Sequence, residues 1–221
     1  MSLSDENLRE APATGAQPDP HYFTTPTGPV AHRPLQVRLA GQDVEVLTAN
    51  HVFSGDRIDL GTRVLLRDVP PPPADGVILD LGCGWGPIAL TQAMLAPRAQ
   101  VWAVDVNDLA LELTRRNAAR LDLEGVRAVR PDEVPDGLTF DAIWSNPPIR
   151  IGKQALHELL LTWLPRLSET GEAHLVVQRN LGADSLQAWL AHELPLRTDG
   201  AWHVERAGSA KGFRVLGVRR A

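Results

Sequence analysis

The chain is poor in cysteine, lysine, methionine and tyrosine. Cys83 is its sole cysteine, which excludes an internal disulfide and a cysteine-rich metal centre. Lys153 and Lys211 are the only lysines among 22 basic residues, so cationic work falls to arginine. No apolar run is long enough to span a membrane, and no basic-then-apolar leader opens the sequence. The expectation is a cytoplasmic protein without a membrane partner. A formal net charge of -5 excludes nonspecific polyanion binding through overall charge, while local basic patches stay open. The 221 residues suit one medium α/β domain, or a domain with a small extension.

What the chain does have is concentrated in VILDLGCGWGPIALTQAMLA, residues 77–96. Val77 to Leu81 reads as a buried strand carrying Asp80. Gly82, Gly84 and Gly86 then permit a tight turn with positive φ and close backbone approach to a ligand. Pro87 suits the first position of a helix, and Pro97 ends it. QVWAVDV, from Gln100 to Val106, reads as the next strand, with Asp105 about 20 residues past the glycines, the spacing of a ribose-binding carboxylate. A carboxylate at Asp80 would repel a pyrophosphate but suits a ligand bearing an ammonium group.

A second motif stands at the end of FDAIWS, a strand over 140–145, where Asn146-Pro147-Pro148-Ile149 follows. Ligands of open α/β sheets bind at the carboxyl ends of strands. Consecutive prolines fix φ and force extended backbone, so the Asn146 side chain and the Asn146 and Pro147 carbonyls are held at a set angle. The carbonyl groups accept hydrogen bonds, which suits a substrate NH2 whose lone pair is conjugated with a ring.

The remainder reads in order as follows. Residues 1–20 form a polar arm, and Tyr22 and Phe23 pin a loop after it. Residues 21–69 hold a hairpin, Val37 and Leu39 against Val44 and Val46 with its turn at Gly41 and Gln42, joined to the main sheet. A connector follows whose Val64, Leu65 and Leu66 pack on the core. Residues 70–221 form the catalytic domain. Within it, helices are expected over 107–124, 151–167 and 185–194, and strands over 126–130 and 172–179, with a terminal hairpin from AWHVER and GFRVLGVRR. Arg115, Arg116 and Arg120 read as a solvated face, and His157 as structural.

DLGCGWG, with Asp105 downstream, resembles motif I of the class I S-adenosylmethionine-dependent methyltransferases. The resemblance implies a Rossmann-like α/β fold: a mostly parallel sheet with its last strand antiparallel and helices on both faces, plus the small N-terminal hairpin. It implies S-adenosylmethionine as cofactor, held by Thr62, Asp80, Gly82, Cys83, Gly84, Gly86, Asp105, Val106, Asp132 and Asn146. Asp132 is the candidate for the adenine amino group; an ordinary loop acid is the plainer alternative. VFSGDRIDLGT, residues 52–62, resembles the segment before motif I in the ribosomal RNA small-subunit methyltransferase C type, which places Gly61 and Thr62 near the methionine end and Phe53 at the pocket mouth.

Asn-Pro-Pro resembles motif IV of enzymes that methylate planar exocyclic or amide nitrogens. Asn146, Pro147 and Pro148 are then catalytic, and Phe53, Ile149, Arg150 and Lys153 contact substrate. Ile149 departs from the aromatic usual at its position in adenine and glutamine enzymes, and NPPIR resembles a branch of the guanine-N2 family. Arg150 and Lys153 are read as phosphate contacts or as plain helix-start charges. Lys211, Arg214, Arg219 and Arg220 supply a basic rim or solvated strand ends. The expected activity is methylation of guanine N2 in 16S ribosomal RNA, with ribosomal RNA or the small subunit as partner. A small-molecule or protein glutamine N-methyltransferase, and a noncatalytic RNA-binding assembly subunit, stay open beside it.

Overall fold

A computed structural model describes residues 28–221. The arm expected over 1–20 and the loop of Tyr22 and Phe23 lie outside the described residues. Two strands open the described part: β1 (His32–Leu39) and β2 (Gln42–Ala49), paired antiparallel with Val37 opposite Val44 and Leu35 opposite Val46. Their turn is at Ala40 and Gly41, both at positive φ (47° and 80°), one residue earlier than the sequence suggested. A two-residue turn with positive φ at both positions matches the twist of the paired strands, and this sets the register.

The segment expected to be a connector is instead a helix, α1 (Leu60–Asp68). It is short, and only Val64 and Leu65 repeat apolar positions on its buried side along with Gly61 and Thr62, so helical periodicity was hard to see. After it come β3 (Val77–Leu81), α2 (Pro87–Leu95), β4 (Gln100–Val104), α3 (Asp108–Arg120), β5 (Val126–Val129) and β6 (Phe140–Ser145). The rest is α4 (Lys153–Trp163), β7 (Leu167–Gln178), α5 (Ala183–Arg197), β8 (Trp202–Ala210) and β9 (Phe213–Arg220). The helix expected over 151–167 is shorter because Gly152, at φ 101°, separates a 3₁₀ turn at Ile149–Ile151 from α4. Helix α5 runs through Pro195 to Arg197, three residues past the expected stop.

Seven strands form one sheet in the order β5-β4-β3-β6-β7-β9-β8. Strands β3 to β7 are parallel and β9 runs antiparallel between β7 and β8. This is the mixed α/β sheet that the resemblance to class I methyltransferases implied. The hairpin β1-β2, expected to join it, is a separate two-stranded sheet.

Both faces of the large sheet are covered, which explains the nearly continuous apolar runs of its parallel strands. Along β3, Leu79 and Leu81 pack with Leu160, Trp163, Leu190 and Leu194 of α4 and α5, whereas Ile78 packs with Val64, Leu65, Ile88 and Ala93 of α1 and α2. The hairpin docks by a third cluster, in which Leu39 and Val46 meet Trp85, Leu90 and Leu113. Burying each such aliphatic side chain is worth about 1.5–3 kcal/mol. The exposed Arg120–Glu45 ion pair at the same contact is worth about 0–1 kcal/mol. Apolar burial therefore holds the hairpin in place.

Strand order reverses at β3: β4 and β5 follow on one side, β6 and β7 on the other. The crevice at the carboxyl ends of β3, β4 and β6 is thus the switch point of the sheet, where open α/β sheets bind ligands.

Candidate active site

The loop after β3 is held open by its own backbone. Gly82 N and Cys83 N both donate to Val104 O, at 2.8 and 3.1 Å, tying the loop to the end of β4. Gly82, Gly84 and Gly86 have φ of 79°, 56° and 99°. A Cβ at Gly84 would meet nothing within 4 Å, and one at Gly82 would meet only Pro148 Cδ at 4.0 Å. Gly84 therefore borders open space, while a Cβ at Gly82 would just touch the Asn-Pro-Pro turn. Ser145 Oγ donates to Leu81 O at 2.7 Å and locks the ends of β3 and β6 side by side.

Two carboxylates frame the loop. Asp80 is fully buried; its Oδ2 accepts the N–H of Ala89 in the first turn of α2 at 2.9 Å. Its Oδ1 is buried without a partner. Burial pushes the Asp80 carboxyl up to about 8, against the Ala89 N–H bond, with the charge of Asp105 adding to the rise. Asp105 accepts Asn107 N and Gly84 N, both at 2.9 Å, and burial raises its carboxyl against those bonds. Each oxygen keeps a further lone pair. Val106, beside it, leaves 45% of its surface exposed. Cys83 is buried with Sγ against Thr114 Oγ1, and burial pushes its thiol well up, so it contributes through its backbone rather than as a nucleophile.

Asp132 sits in a 3₁₀ turn after β5 with its carboxylate largely in solvent, 3.8 Å from Arg130. Arg130 reaches back to Asp108 and to Val106 O, which ties the ends of β4 and β5 together.

Asn146 lies between these elements and α1. Its Nδ2 donates to Asp59 Oδ2 and to Thr62 Oγ1, both at 3.0 Å. Its Oδ1 receives no hydrogen bond from the described residues and is not sealed from solvent. Pro147 O, expected as a free acceptor, already accepts Ile149 N at 2.8 Å around Pro148, leaving one lone pair. Ile149 packs partly against the core, so less of it is free to face a substrate than the sequence suggested. Asp59, which stands out within VFSGDRIDLGT but to which sequence reading assigned no role, caps α1 through Gly61 N and Thr62 N. The signal was present in VFSGDRIDLGT, but a cap and an amide partner are indistinguishable in a string.

Segment 51–57 closes the other side. Trp85 Nε1 donates to Ser54 O at 3.2 Å, and Thr48 Oγ1 to Gly55 O at 2.6 Å. Phe53 stands out of it, 51% exposed. Arg150 and Lys153 are exposed after the Asn-Pro-Pro turn. Arg179 at the end of β7 and Lys211 in the β8–β9 turn are on the same rim, since Arg179 N donates to Gly212 O. None of the four makes an ion pair among the described residues. The other expected rim residues separate: Arg214 pairs with Asp184, and Arg219 and Arg220 lie at the opposite edge, where Arg219 faces Glu172. His157 stacks on Trp189 at 3.4 Å, a packing role.

Residues 43–206 match the methyltransferase small domain family. The chain belongs to that family. It is 33% identical over 169 residues to the uncharacterized protein YbxB of Bacillus subtilis, covering 75% of this chain and 84% of that one. It is also 33% identical over 179 residues to the ribosomal RNA small subunit methyltransferase C of Serratia proteamaculans. That match covers 78% of this chain and 51% of the relative, so the chain spans about half the length of the named ribosomal RNA methyltransferase. Among solved structures, the T. thermophilus 16S rRNA N2 G1207 methyltransferase in complex with AdoMet and guanosine superposes with a TM-score of 0.69 at 22% identity, over 89% of this chain and 52% of that one. The likeness is one of fold. No helix among the described residues is long and apolar enough to cross a membrane.

Proposed function

We propose that this member of the methyltransferase small domain family uses S-adenosylmethionine to methylate an exocyclic amine, guanine N2 in 16S ribosomal RNA. The observation that carries the reading is the meeting of the glycine loop and the Asn-Pro-Pro turn at Gly82 and Pro148, beside which Asn146 spends its NH2 on Asp59 and Thr62 and keeps its amide oxygen free of hydrogen bonds among the described residues. The donors fit the cofactor: the buried, unpaired Asp80 Oδ1 is complementary to an ammonium, Asp105 to vicinal hydroxyls, and the exposed Val106 to an adenine face. The residues proposed to hold it are Thr62, Asp80, Gly82, Cys83, Gly84, Gly86, Asp105, Val106, Asp132 and Asn146, the loop residues through their backbone.

The cofactor supplies an electrophilic methyl on a sulfonium. Asn146 Oδ1 and the remaining lone pair of Pro147 O accept the two N–H bonds of the amine, turning the nitrogen lone pair towards the methyl carbon. The nitrogen, made acidic by accepting the methyl that the bound cofactor would supply, would lose its proton to water. The same acceptors face the charge as it develops, so the site needs no strong base. Pro148 stiffens the turn. Phe53 supplies the aromatic face that Ile149 lacks, and Arg150 and Lys153, joined by Arg179 and Lys211, contact phosphates. The T. thermophilus structure, a complex with AdoMet and guanosine, supports pairing this cofactor site with a guanine base.

The test is incubation with tritiated S-adenosylmethionine and ribosomal subunits from a strain lacking the protein, followed by nucleoside analysis. Label in N2-methylguanosine is expected. Label in no RNA, with cofactor still bound by calorimetry, would overturn the ribosomal substrate and favour a small molecule or protein.

A further inference from the structure

We propose that Asp59 is a positioning residue: it fixes the Asn146 amide with its NH2 inward and its carbonyl outward, so that the site offers acceptors only and selects amines. The proposal rests on the reading of the site as an amine-methylating centre. The orientation follows from the bonds that Asp59 already accepts. Gly61 N and Thr62 N both donate to Asp59 Oδ2, at 2.7 and 3.3 Å, so that oxygen acts as an acceptor. Only the NH2 of Asn146 can then stand 3.0 Å from it. Thr62 Oγ1 takes the second amide proton at 3.0 Å, so both donors are spent and the carbonyl must face the crevice.

The bracket is built tightly. A Cβ at Gly61 would lie 2.9 Å from Asp59 Oδ2 and 3.0 Å from Phe213 Cε1, so a side chain there would displace the carboxylate or the ring. Asp59 thereby couples two jobs, capping α1 and orienting an amide 87 residues away. An asparagine left to rotate freely could present its NH2 to the substrate and would repel an incoming N–H. The fixed amide removes that misalignment.

Two substitutions at Asp59 test the positioning role. Asp59→Asn can keep its amide oxygen at the Oδ2 site, where it still accepts Gly61 N, Thr62 N and the Asn146 NH2, and is expected to hold kcat within about threefold of wild type. Asp59→Ala removes that acceptor and frees the Asn146 amide to rotate, and is expected to lower kcat by about 10-fold or more while leaving KM for the ribosomal subunit nearly unchanged. Equal kcat in Asp59→Ala and Asp59→Asn would overturn the proposal.

A readout independent of transfer is the pair of side-chain amide protons of Asn146 in the nitrogen-15 spectrum, assigned by their loss in Asn146→Asp. Both are expected to shift and exchange faster in Asp59→Ala. Unmoved signals would overturn the positioning role even where the wild type methylates RNA. If the wild type methylates no RNA but the signals move, the substrate reading falls and the positioning role stands.

Discussion

Asp80 shows how one residue can strain the fold in favour of a ligand. Its carboxyl is raised from 3.8 to about 8 chiefly by burial. For a group whose folded value exceeds its unfolded one, the associated stability is fully present below the unfolded value and is lost as pH rises through the folded one. The protein without cofactor should therefore lose stability between about pH 4 and pH 8, in the window that Asp80 sets. Asp80→Asn keeps an oxygen for Ala89 N and removes the buried charge. Thermal denaturation across that range should show a flatter profile for the variant; an unchanged slope would mean that another group dominates. An ammonium beside Oδ1 favours the ionised form, so cofactor binding near pH 7 should release a proton in the wild type and not in Asp80→Asn. Calorimetry in buffers of different ionisation enthalpy reads that proton directly.

Among the elements, the hairpin and α3 share one buried polar side chain beside their apolar cluster. Asn117 is wholly buried, accepts Leu47 N at 2.6 Å, and donates to Leu47 O and Trp85 O. Removing it strands the Leu47 N–H and two carbonyls, so Asn117→Ala should cost about 2–3 kcal/mol in urea unfolding. Because Trp85 also holds Ser54 O, the variant should loosen segment 51–57 and weaken cofactor binding as well. No change in stability would show that the apolar cluster around Leu39 and Val46 suffices. The parallel strands were legible in the sequence because both of their faces are buried and the run is unbroken. Helix α1 was not, since nine residues give too few turns for a period to show. The expected end at Leu194 fell short because only three residues follow it in α5, so Pro195 disturbs just the last turn. The glycine loop and Asn-Pro-Pro turn were readable as local strings. The tie between the Asn-Pro-Pro turn and α1 through Asp59 was not, because that contact spans 87 residues.

At the scale of the whole molecule, a net charge of -5 coexists with a rim of Arg150, Lys153, Arg179 and Lys211 unpaired among the described residues. Elsewhere many arginines are neutralised locally, as Arg38 is by Asp43 and Arg120 by Glu45. Steering of a polyanion then depends on this face rather than on total charge. Replacing Arg150 and Arg179 by alanine should weaken ribosomal RNA binding and lower the slope of log affinity against log salt by about 1 per lost phosphate contact, with cofactor affinity unchanged. An unaltered slope would place the RNA on another surface. The central claim is that the amine depends on Asn146, whereas the cofactor is held chiefly by Asp80, Asp105 and the glycine loop with Asn146 only at its edge, and Asn146→Ala tests it most directly. Calorimetric affinity for S-adenosylmethionine and single-turnover methyl transfer would be measured on the same preparation. The account predicts affinity within about threefold of wild type and transfer reduced by about 100-fold to 1,000-fold, the loss typical of one transition-state hydrogen bond. Equal loss of both would contradict it and make Asn146 a structural residue.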